Sequence, residues 1–257
     1  MATYQIDYSC GSNIGLCRKN NQDNYICLGQ YRDLETDITE ILTGTTPIGK
    51  ECVFGVFDGL GGEEFGEIAS LIAAKRIRNT VFDRKLKEKA SAYCVEANKA
   101  ICDYADENEI FAMGTTAAFM VFAKKEILLC NIGDSRIYFF SDDKMEQISY
   151  DHVLLGTQYA KPPLTQKLGI REEELVLDPF FSSGTYREGD VFLICSDGLT
   201  DMVPLEEIKE IVLQEETQNC ASVLIEKALE NGGRDNTTVI VCKVIGKSKK
   251  RKETKNG

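Results

Sequence analysis

The chain has no tryptophan, one histidine and five prolines in 257 residues. A single histidine excludes a multi-histidine zinc centre and leaves any Ser-His-Asp triad only one possible base, His152. No apolar run approaches the ~18 residues that a membrane helix needs. The opening MATYQIDYSC has no basic stretch followed by an apolar one, so neither a membrane span nor a secretory signal is expected. None of the ten cysteines pairs at C-x-x-C spacing. Most lie in apolar runs such as Leu128-Leu129-Cys130, so they are expected to be buried free thiols in a reducing cytoplasm. Positive charge is scarce: 30 Lys and Arg face 41 Asp and Glu, for a net charge of −11. An acidic body argues against general nucleic-acid binding.

What is present is ordinary for a globular protein: 43% hydrophobic and 28% charged residues, enough to bury a core. One large domain over 1–246 is the first expectation and two small ones the second. The last eleven residues, Lys247 to Gly257, hold six basic side chains and one acidic one, and read as a disordered tail.

Periodicity orders the elements. Strands are expected at 3–10, 24–28 and 52–57, with a polar loop or hairpin excursion over 29–50. Helices follow at 63–82 and 86–108. Four β-rich runs at 115–122, 126–132, 135–140 and 145–149 suggest an antiparallel meander. After an irregular stretch over 150–173 come strands at 174–181 and 190–196, helices at 204–215 and 219–231, and a strand at 237–245. Helix pairs must cover sheets, and the strands suffice for two. The expected class is α+β, a four-layer α-β-β-α sandwich of two mostly antiparallel sheets flanked by helix pairs.

Aspartates recur at the ends of these strands. Asp58 follows CVFGVF, Asp134 follows ILLCNIG and Asp197 follows VFLICS, while Asp23 and Asp235 precede strands. One Asp-Gly is a common turn; five strand-end aspartates in one chain are harder to explain that way. Converging carboxylates repel unless a hard cation neutralises them, and oxygen-only ligands suit Mg²⁺ or Mn²⁺. Two such ions can activate a water and stabilise an in-line phosphoryl displacement. A calcium loop is excluded, because no D-x-D-x-D stretch of the right length occurs.

Six stretches, in order, carry a resemblance: Arg18-Lys19-Asn20-Asn21-Gln22-Asp23, Val56-Phe57-Asp58-Gly59-Leu60-Gly61-Gly62, Met113-Gly114-Thr115-Thr116, Asn131-Ile132-Gly133-Asp134-Ser135-Arg136, Ser196-Asp197-Gly198-Leu199-Thr200-Asp201 and Asp235-Asn236-Thr237-Thr238. With them the chain resembles the PPM (type 2C) metal-dependent protein serine/threonine phosphatases, in their bacterial form. The resemblance implies the double-sheet sandwich and two Mg²⁺ or Mn²⁺ ions. By the same resemblance Asp58 bridges them, the Gly59 carbonyl binds one, and Asp197 and Asp235 complete the first. Asp23 stands beside the second, directly or through water. Arg18 holds the substrate phosphate, a role that suits a guanidinium. Asp134 and Asp201, with Asp197, match a weaker third-metal site, although a turn-capping role for Asp134 weighs as much. Asn236 orients Asp235. A water attacks phosphorus with no covalent intermediate, so no cysteine is needed as nucleophile. The implied partner is a phosphorylated protein, with a Ser/Thr kinase or its targets in view. A cytoplasmic monomer is expected.

Two departures stand out. Many eukaryotic members carry histidine directly after the Asp-Gly, where this chain has Leu60; His152 matches a structural Asp-His instead. The segment near 150–173 is also short for the family's flap, which implies a more open cleft. The alternative function is a pseudophosphatase that binds a phosphoprotein or kinase without turnover, but Asp58, Asp197 and Asp235, which such proteins tend to lose, are all present.

Overall fold

The computed structural model describes residues 4–48, 52–60, 65–124, 126–156 and 161–246. Gly61, Gly62, Glu63, Glu64 and the basic tail lie outside the described residues.

One sheet has the order β3-β1-β11-β10-β7-β8, from strands Leu42–Pro47, Tyr4–Asn13, Thr237–Gly246, Val191–Cys195, Arg136–Ser141 and Lys144–Gln147. The other runs β2-β4-β5-β6-β9, from Asn24–Cys27, Cys52–Phe57, Ala117–Phe122, Ile127–Ile132 and Phe180–Gly184. Every pairing described is antiparallel. Helices α1 (Gly66–Arg78) and α2 (Leu86–Glu107) cover the second sheet. Helices α4 (Leu205–Gln214) and α5 (Thr217–Glu230) cover the first. The expected sandwich is therefore the observed one.

The continuous apolar runs belong to strands buried on both faces. In β4, Val53 and Phe57 meet the α1–α2 layer, whereas Cys52, Phe54 and Val56 point between the sheets. In β10, Val191, Leu193 and Cys195 face α4 and α5, whereas Phe192 and Ile194 point inward. Phe54, Phe122, Phe192 and Phe139 link the two sheets, with successive ring centroids 6.0, 5.5 and 5.1 Å apart. Edge-to-face and tilted rings of this kind add to the area that they bury.

Three features differ from expectation. Strand β3 falls inside the stretch read as a loop or hairpin excursion; it is a sheet edge whose LTGTTP composition carries little apolar signal. Strand β9 begins at Phe180 rather than 174, because Leu175 and Val176 are exposed and Pro179 has no N–H for a ladder. The four runs over 115–149 do not form one meander: β5 and β6 pair in the second sheet, whereas β7 and β8 pair in the first, and a one-turn helix α3, Asp197–Thr200, follows β10.

Candidate active site

Strands from both sheets end at one rim, and their closing residues line a small cleft: Arg18, Asp58, Gly59, Leu60, Asp134, Lys161, Leu164, Asp197 and Asp235.

Asp58 directly follows β4, and its backbone is fixed from three directions. Its N–H donates to Thr116 Oγ1 at 2.9 Å. Its carbonyl accepts from the Thr116 N–H at 2.8 Å and from Thr115 Oγ1 at 2.9 Å. Thr116 Oγ1 also pairs with Ser135 Oγ at 2.7 Å. Thus the Met113-Gly114-Thr115-Thr116 and Gly133-Asp134-Ser135 stretches serve as braces for the Asp58 backbone. Gly59 runs against backbone: a Cβ there would collide with the carbonyls of Gly66 and Gln22. A Cβ on Gly198 would likewise strike the Asn236 carbonyl. Both glycines are required by close approach.

Asp23 lies beneath the cleft, 1% exposed, rather than on its lining. Its Oδ2 accepts from Ser196 Oγ and from Thr238 Oγ1, both at 2.7 Å. Its Oδ1 is buried with no hydrogen-bond partner. Burial pushes the Asp23 carboxyl up to about 7, against the two hydroxyl bonds and with help from Asp197 and Asp235. Arg32 locks the loop that carries it. Buried at 2% exposure, its guanidinium donates to the carbonyls of Asp23 (2.9 Å), Asn21 (2.5 Å), Asp33 (2.8 Å) and Thr36 (2.9 Å).

Asp235 pairs with Arg18 at 2.6 Å, and its Oδ1 accepts the Asn236 N–H at 2.9 Å. The Asn236 side chain, for its part, turns to the preceding loop. It donates to the carbonyls of Ile14 and Asn20 and accepts from the Gln22 N–H, so it fastens the loop that bears Arg18. Asp197 opens α3 and is paired with Lys161. Asp134 sits in the β6–β7 turn, its carboxyl pushed up to about 6 by burial and by Asp197. Asp201 follows α3; burial raises its carboxyl, but it does not line the cleft. The carboxyl of Asp58 is also raised, by burial first and then by Asp23, Asp197 and Asp134.

His152 is structural, as the Asp-His reading expects: its Nδ1 accepts the Gly133 N–H at 3.2 Å, and its own N–H donates to the Gly133 carbonyl at 3.0 Å. None of the ten cysteines forms a disulfide, and only Cys17 is exposed. Burial pushes the Cys195 thiol up to about 12, which removes it as a nucleophile at neutral pH.

Sequence reasoning missed two residues. Lys161 had no motif to mark it. Arg32 acts on carbonyls that only the folded loop brings together.

The donor set suits a hard divalent cation. It is all oxygen, it contains an orphaned buried carboxylate atom, and its acids raise one another. Among the described residues no three His, Cys, Asp or Glu side chains form a closed ligand set as they stand. Two of the acids are instead turned to cations, Asp235 to Arg18 and Asp197 to Lys161.

A family profile described as Protein phosphatase 2C matches residues 45–231. The chain is similar to the serine/threonine phosphatase stp of Listeria innocua, at 31% identity over 215 residues, covering 75% of this chain and 84% of that protein. It is 30% identical over 257 residues to the serine/threonine protein phosphatase PstP of Mycobacterium tuberculosis, covering 95% of this chain but 46% of PstP. The chain thus spans about half the length of that relative. A crystal structure of the catalytic domain of PstP in complex with 2 manganese ions matches at a TM-score of 0.77 and 29% identity, covering 94% of this chain and 99% of that one.

Proposed function

We propose, from the premise that the chain belongs to the protein phosphatase 2C family of metal-dependent serine/threonine phosphatases, that its strand-end aspartates are the working site of phosphoserine and phosphothreonine hydrolysis. The observation that carries this reading is the convergence of Asp58, Asp197 and Asp235 with Arg18 on one cleft.

Asp58, with the Gly59 carbonyl, would hold two Mg²⁺ or Mn²⁺ ions, Asp197 and Asp235 would complete the first, and Asp23 would stand behind the second. Such ions supply a water acidified enough to act as nucleophile near neutral pH, and neutralise charge on the phosphoryl oxygens. The chain's own residues prepare the geometry. Thr115 and Thr116 fix the Asp58 backbone, so that its carboxylate keeps one position. Ser196 and Thr238 hold Asp23 by one oxygen and leave the other free to face an ion or its water. Arg18 stands at the cleft with a fork of donors that matches phosphate oxygens, and Asn236 keeps its loop in place. Leu60 occupies the position next to Gly59 without a proton to give. No buried thiol enters the chemistry.

The same reading takes 1–246 as one phosphatase domain, with the segment near 150–173 as a short flap. Substrates are phosphoproteins, among them a Ser/Thr kinase or its targets, and the working form is a monomer. The absence of disulfides among the described cysteines supports a reducing compartment, the cytoplasm. Among the described residues no helix is long and apolar enough to cross a membrane.

The test is hydrolysis of a phosphothreonine peptide and of p-nitrophenyl phosphate in Mn²⁺, Mg²⁺ or EDTA, beside Asp197→Asn. Turnover with metal, lost in EDTA and in the variant, is expected. A folded protein inert with every metal would overturn catalysis and leave a phosphoprotein-binding module.

A further inference from the structure

Lys161 is delivered to the cleft by an anchored stem. Pro162 and Pro163 follow it directly and fix two φ angles. The stem is tied down next to them: the Leu154 N–H donates to the Pro163 carbonyl at 2.9 Å, and the Thr165 N–H to the His152 carbonyl at 2.8 Å. From there the ammonium reaches Asp197, which it pairs with. Its charge is also felt by the carboxyls of Asp58, Asp134 and Asp201, each of which it favours in the ionised form. A lysine ammonium is a compact point charge with three donors and no lone pair. It neutralises carboxylates without binding a metal, and it repels any cation brought beside it.

We infer that Lys161 is a tethered counter-cation that competes with a divalent ion for the Asp134–Asp197–Asp201 side of the cleft, so that this chain holds two ions firmly and disfavours a third. The inference rests on the metal site proposed above. It makes Lys161 a positioning residue: it sets which acids stay open to ions and which are already neutralised. Arg18 makes the corresponding pair with Asp235 on the opposite side, where substrate phosphate would draw the guanidinium away, whereas Lys161, if the first ion takes Asp197 from it, still has Asp134 and Asp201 within reach of its charge.

The test is Mn²⁺ binding to the metal-stripped full chain, followed by calorimetry and by the loss of the free-ion paramagnetic resonance signal, for wild type, Lys161→Met and Lys161→Arg. Thermal unfolding confirms that each variant is folded. Wild type is expected to take up two ions, and Lys161→Met to gain a third or to bind its weakest ion at least about tenfold more tightly. Lys161→Arg, which keeps the charge, should behave as wild type, and adding Asp134→Asn to Lys161→Met should abolish the gain. Equal stoichiometry and affinity in wild type and Lys161→Met would overturn the role of Lys161 while leaving the metal site standing, as would three firmly bound ions in wild type. No Mn²⁺ uptake by any variant would overturn the metal site itself, and this inference with it.

Discussion

On one side of the cleft, Asp58 and Asp235 form a wall with Asp23 beneath it, each where a strand ends or begins, and their backbones are bound by hydroxyls, amides and a buried guanidinium. On the other, Asp134 projects from a turn, Asp201 stands behind the lining just after a single helical turn, and Lys161 leans in from a loop with its side chain 57% exposed. The first wall has hydrogen bonds beneath every acid; the second is balanced mainly by charge. A site that must hold two ions in a fixed relation needs the first kind of construction, because misplacement of a ligand is costly there. The second kind allows acids to change partners without disturbing the fold.

The contrast can be broken most severely at Asp58. Asp58→Asn should lower kcat/KM by about 10³-fold or more, near 4 kcal/mol of barrier, with the fold intact; steady-state kinetics and thermal unfolding together check this. Next comes Arg32, which never touches the cleft. Arg32→Ala strips donors from the carbonyls of Asn21, Asp23, Asp33 and Thr36, and should cost on the order of 3–5 kcal/mol of stability in urea unfolding. Arg32→Lys, which keeps the charge but not the fork, should fall between.

A pH series sharpens the comparison further. In the folded chain Asp23 is raised to about 7 and Asp134 to about 6, each above its ordinary value near 3.8. The folded state therefore binds more protons than the unfolded one across this window, and stability falls as pH rises. In EDTA, the melting temperature should decline from about pH 4 to about pH 7, most steeply near pH 5, where both carboxyls keep their protons in the folded chain and have lost them in the unfolded one. Asp23→Asn should remove much of that slope; an unchanged slope would assign it to other groups. The smallest effects belong to the second wall. Asp134→Asn and Asp201→Asn should lower kcat/KM by about tenfold at most when Mn²⁺ is saturating. A loss as large as that of Asp58→Asn would erase the distinction between the walls.

The first wall was the legible one. An apolar run that stops at Asp-Gly is a local signal, and Asp58 has it, as does Asp197 across the cleft. The supports beneath them were not legible. Arg32 sits in a polar stretch indistinguishable from any surface loop, and its acceptors are backbone atoms, which leave no trace in composition. Asn236 was assigned to its chain neighbour Asp235, whereas its amide reaches residues 14, 20 and 22, more than two hundred positions away in sequence. Strand β3 was missed because its side chains alternate only weakly at an edge where Gly44 rests on Tyr8. Lys161 was invisible because a lone lysine in a proline-bearing loop is, by composition, solvent-facing.

The exposure of the thiols has a practical consequence. Eight cysteines are buried and Cys102 is half-buried, while Cys17 is open to solvent beside Arg18. An alkylating reagent should therefore mark Cys17 at once and the buried eight only when the molecule opens. The chain carries two clocks in one chemistry. A bulky label on the fast site reports occupancy at the mouth of the cleft, and the slow sites count unfolding events, with no engineered residue required.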